Sequence, residues 1–84
     1  SYEQKKDYDR KVNKLSKSIK EKESMIAETE ALIADIEKQM NECSDNKRAT
    51  ELSERHASAD MKLGELMEQW TALQEELEEL TKVD

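Results

Sequence analysis

The sequence predicts an all-α chain, a two-helix antiparallel coiled-coil hairpin. Apolar residues recur at alternating steps of four and three along two separate runs, one short polar break divides the runs, and the 84 residues include no Pro and one Gly. Such spacing holds a narrow stripe on one side of a helix and imposes a left-handed supercoil.

The first run is Tyr8, Val12, Leu15, Ile19, Lys22, Ile26, Thr29, Ile33, Ile36, Met40 and Cys43. It places helix one over about residues 2–43. The break is Ser44-Asp45-Asn46, a turn in which Asp45 or Asn46 suits the N-cap of the next helix and Asn suits a left-handed residue closing the first. The second run is Ala49, Leu52, His56, Ala59, Leu63, Leu66, Trp70, Leu73, Leu77 and Leu80, which places helix two over about residues 47–81. So short a linker makes the helices antiparallel neighbours, within a single domain spanning residues 1–84. At ~1.5 Å per residue the arm should be roughly 50 Å long.

Folding about Asn46 opposes residues whose numbers sum to about 92. Met40 then meets Leu52, Ile36 meets His56, Ile33 meets Ala59, Ile26 meets Leu66, Lys22 meets Trp70 and Ile19 meets Leu73. Lys22 can lay its alkyl stem on the indole while its ammonium reaches water. Met25 and Leu32 beside helix one, and Met67 beside helix two, widen the stripe and offer a route to weak self-association of an isolated arm. Gly64, mid-helix, costs about 1 kcal/mol against Ala and marks local softness or a close contact.

Composition narrows the function classes. Charged residues make up 42 % and hydrophobic ones 35 %, which fits a surface-rich helical rod rather than a round core. No stretch approaches the roughly 18 apolar residues of a membrane span. The chain opens Ser-Tyr-Glu without a Met and reads as a piece of a longer protein. One cysteine, Cys43, forms no internal pair and suits a reducing compartment as a small apolar filler. Catalysis finds no acid–base constellation, metal-ligand spacing or glycine-rich phosphate loop, and a two-helix seam offers no room for a small-molecule substrate pocket. His56, the only His, is read as a structural seam residue or a pH-sensitive joint.

The net charge of −7 opposes phosphate contact overall, but charge is unevenly placed. Residues 1–22 carry eight positive and four negative side chains, whereas residues 63–84 carry one positive and seven negative. In a hairpin these segments lie side by side. The basic run, with Lys14 and Lys17 at its centre, either neutralises the acidic end of helix two or meets nucleic acid. Lys47, Arg48 and Arg55 form a second basic group at and just behind the tip, suited to RNA or to solvent.

Certain residues carry a resemblance. The opening Ser1-Tyr2-Glu3-Gln4-Lys5-Lys6, the Arg10-Lys11-Val12 triplet and the acidic Ile-rich stretch from Ile26 to Ile36 resemble the start of the C-terminal coiled-coil extension of ABC-F ATPases. Glu51-Leu52-Ser53-Glu54-Arg55-His56-Ala57, then Leu63, Met67-Glu68-Gln69-Trp70, Leu73 and Glu76-Leu77-Glu78-Glu79-Leu80 follow that family's second helix in order and spacing. His56 departs from it, where an aromatic such as Tyr is more usual, as does the acidic balance. The resemblance implies a cytoplasmic parent with two nucleotide-binding domains upstream of Ser1, which would hold ATP and Mg. This segment would then be a non-catalytic projecting arm, without a cofactor of its own, that contacts the ribosome, RNA or DNA. The rival reading is a structural spacer or protein–protein hairpin of another assembly.

Overall fold

The computed structural model describes residues 1–82, which form two helices, α1 (Tyr2–Glu42) and α2 (Asn46–Thr81), packed along each other as an antiparallel hairpin. Ser1 caps α1 by a reciprocal device. Its hydroxyl accepts from the Gln4 backbone N–H at 3.3 Å, and the Gln4 side chain accepts from the Ser1 amine at 3.2 Å. A Ser followed three residues later by Gln is a readable signature of this capping box.

The turn departs from expectation. α1 ends at Glu42, α2 begins at Asn46, and no described residue has a positive φ. Reversal is achieved by extended backbone at both caps, Cys43 (φ −90°, ψ 132°) and Asp45 (φ −93°, ψ 123°). The Cys43 N–H donates to the Met40 carbonyl at 3.3 Å, and the Asp45 carboxylate accepts from the Lys47 N–H at 3.2 Å. Asp45 is therefore the N-cap, and Asn46 is already helical.

The two heptad runs form the seam. Every position from Val12 to Cys43 on the first stripe, and from Ala49 to Leu80 on the second, is buried or half-buried. Ile36, Leu52 and Ala59 form the tightest cluster, with Ile33, Met40 and Cys43 packed against it. Ile36 and Leu52 are each 1 % exposed. Thr29 is buried without an orphaned hydroxyl, because its Oγ1 donates to the Met25 carbonyl one turn back at 2.8 Å. Gly64 makes no close contact: a Cβ placed there meets nothing within 4 Å.

Tyr8 is the exception on the stripe, at 41 % exposed. In the sum-of-92 register, Thr81 lies level with Lys11, so α1 runs about nine residues beyond the end of α2. The same overhang accounts for the length. The longest dimension is 67 Å, not roughly 50 Å, since the shorter figure covers the paired stretch alone and the overhang adds about 14 Å.

Candidate nucleic-acid interface

The basic residues fall into two groups that the fold keeps apart. Lys47, Arg48 and Arg55 lie at the tip end. Lys14 and Lys17 lie near the open end, roughly 25–28 residues of α1 away from it, which is about 40 Å along the axis. They form no single patch.

At the tip, Arg48 is already engaged. Its guanidinium donates to Gln39 Oε1 across the hairpin at 3.0 Å and approaches Glu51 Oε2 at 3.5 Å. Arg48 and Gln39 thus close one edge of the seam beside the turn, as the shielding role of a long basic stem suggests. Lys47 and Arg55 are exposed.

On α1 the spacing separates Lys14 from Lys17. Lys14 lines a groove at the seam edge with Lys11, Leu15, Leu73, Leu80 and the α2 carboxylate Glu76. Lys17 faces outward and shares a shallow groove with Asn13, Ser16, Lys20 and the acidic Glu21. Asn13 also borders a groove with Tyr2, Lys6, Arg10 and the acidic Asp9. Lys6, Arg10, Asn13, Lys17, Lys20 and Ser24 consequently form one straight outward row at steps of four and three, the rhythm of the seam itself displaced to the opposite face. No member is a carboxylate. Lys6, Arg10 and Lys20 belong to this candidate interface more clearly than Lys14 does, and repeating the seam's count from Lys6 would have found them.

The acidic end of α2 does not pair closely with this row. Among the described residues, the close ion pairs of Lys or Arg are Arg10 with Asp7 at 3.9 Å and Arg48 with Glu51 at 3.5 Å, each within one helix. Neutralisation across the seam by direct contact, one of the two readings of the basic run, is therefore not observed. Glu68 and Glu75 lie at the outward positions of α2 and Arg10 and Lys17 at those of α1, so the open half carries opposite charge on its two outer faces.

Both aromatic seam residues of α2 meet carboxylates of α1. Trp70 is half-buried at the layer of the half-buried Lys22, and its indole N–H donates to Glu23 Oε2 at 3.3 Å. His56 Nε2 lies 3.8 Å from Glu37 Oε2, and its Nδ1 lies 3.3 Å from Asp60 Oδ2 on its own helix. The remaining seam residues singled out by the register, Ile26, Ile33, Leu66 and Leu73, are buried or half-buried.

No helix among the described residues is long and apolar enough to cross a membrane. A family model described as the ABC transporter C-terminal domain matches residues 1–75. The chain belongs to that family: it is a C-terminal domain of an ABC transporter-related protein. The match takes in α1, the turn and α2 as far as Glu75, including Trp70 and Leu73 but not Glu76–Leu80. No curated protein and no solved structure matches the chain.

Proposed function

We propose that this domain is a non-catalytic arm of a cytoplasmic ABC-F type ATPase, and that it contacts nucleic acid, free or within the ribosome. One observation carries the reading. The outward row Lys6, Arg10, Asn13, Lys17 and Lys20 presents hydrogen-bond donors over about 21 Å with no α2 carboxylate in close contact, while Asp7, Asp9 and Glu21 of α1 flank it. Donors in line along a rod suit phosphates in line along a backbone, and such contacts register position rather than base sequence. The seam supplies the straightness. Lys47 and Arg55 form a second, smaller contact at the tip. ATP and Mg would belong to the parent's nucleotide-binding domains, whose chemistry the arm would follow mechanically.

The test is binding of the chain to ribosomes and to duplex and single-stranded nucleic acid across a salt series. Phosphate contact should appear as affinity falling with salt, with a log–log slope that drops by about 1 for each basic residue removed from the row. Salt-independent binding, or none, would remove the phosphate reading.

A protein-binding hairpin is the second reading. The outward carboxylates of α2, among them Glu65, Glu68, Glu75, Glu78 and Glu79, favour it because they suit a basic protein surface. Unchanged partner binding after reversal of the α1 row would select it.

A further inference from the structure

A heptad stripe does not by itself choose a register. Sliding α2 past α1 by seven residues again sets stripe against stripe, and in one direction it even covers the exposed Tyr8 with Leu77. The three-residue turn favours the observed register, and a second discriminator lies beside the stripe. Trp70 and His56 are fourteen residues apart on one row of α2, and Glu23 and Glu37 are fourteen apart on one row of α1. Trp70 Nε1 reaches Glu23 Oε2 at 3.3 Å, and His56 Nε2 stands 3.8 Å from Glu37 Oε2. Both pairs have numbers summing to 93.

In the slipped register that would cover Tyr8, His56 meets Glu30 but Trp70 meets Ser16. Slipped the other way, Trp70 meets Glu30, but His56 meets Ser44, which lies in the turn. Along this row of α1, Glu stands at 23, 30 and 37 and Ser at 16 and 44. Only one register gives both rings a carboxylate.

We infer that Glu23 and Glu37 are register keys: by meeting the ring nitrogens of Trp70 and His56 they hold the arm against a one-heptad slip. They are positioning residues, and what they position is the tip relative to the open end. Asp60, which faces His56 Nδ1 from within α2 at 3.3 Å, travels with His56 in any slip and does not discriminate.

The keys can be moved. Ser16→Glu combined with Glu37→Ser preserves composition but gives both rings a carboxylate only in the slipped register. Spin labels at Ser24 and Glu54, both outward-facing, report the slide in a Cys43→Ser background. They lie about 21 Å apart along the axis in the observed register and about 10 Å apart after the slip. The parent should give one distance. The moved-key variant should give a population shorter by roughly 5–8 Å. Glu23→Ala with Glu37→Ala should give both populations, and Glu23→Gln, which keeps an acceptor for the indole N–H, should retain the parental distance. A single parental distance in the moved-key and double-alanine variants, whatever happens to their melting temperatures, would overturn the assignment.

Discussion

The two halves of the hairpin are built alike and sealed differently. Toward the tip, Ile36 and Leu52 are almost wholly excluded from solvent, and Ile33, Met40, Cys43 and Ala59 close around them. Toward the open end, Val12, Leu15, Leu77 and Leu80 are only half-buried, and α1 then continues beyond its partner. The same heptad rhythm thus yields a sealed core toward the tip, burial that continues through Leu66 and Ile19, and a loosely covered stripe at the last layers of the open end. Arg48 and Gln39 bridge the seam edge near the turn, whereas the stripe near the open end lies close to where α2 stops.

The largest effect should come from breaking the sealed half. Ile36→Ala or Leu52→Ala should cost about 2–5 kcal/mol, measured by urea unfolding, while Leu77→Ala should cost roughly half as much because its site already admits water. Equal costs would mean that the halves are equivalent. Hydrogen exchange sharpens the contrast without mutation: amides near Val12–Leu15 and Leu77–Leu80 should exchange before those near Ile36 and Leu52. Next, Gly64→Ala should stabilise by about 1 kcal/mol, since helix propensity improves and the added methyl meets nothing. A loss of stability would point to a hidden contact there. Smallest, Trp70→Phe keeps most of the apolar contact but loses the N–H to Glu23, and should cost about 0.5–1 kcal/mol in thermal or urea melts.

The seam was legible because burial of a stripe depends on spacing alone. Each position from Val12 to Leu80 on the two stripes is covered as its place in the count requires, even the polar Lys22, Thr29 and His56. Tyr8 failed because the count says nothing about where the partner helix ends. Of the two N-caps the turn offered, Asp45 took the role and Asn46 became helical, so the left-handed closure expected of Asn is not used. The basic face was half-legible. Lys14 and Lys17 are close in sequence but separated by about 60° around the helix, enough to send one to the seam edge and the other to the outer face. The carboxylates that meet Trp70 and His56 were missed because an exposed Glu in a chain this acidic carries no signal until its opposite number is known.

The overhang of α1 gives the described hairpin an uneven section. From the turn down to the level of Thr81, a sideways push is resisted by two coupled rods. Below that level, among the described residues, a single rod takes the whole bending moment. Among the described residues, bending should therefore be easiest around Tyr2–Arg10.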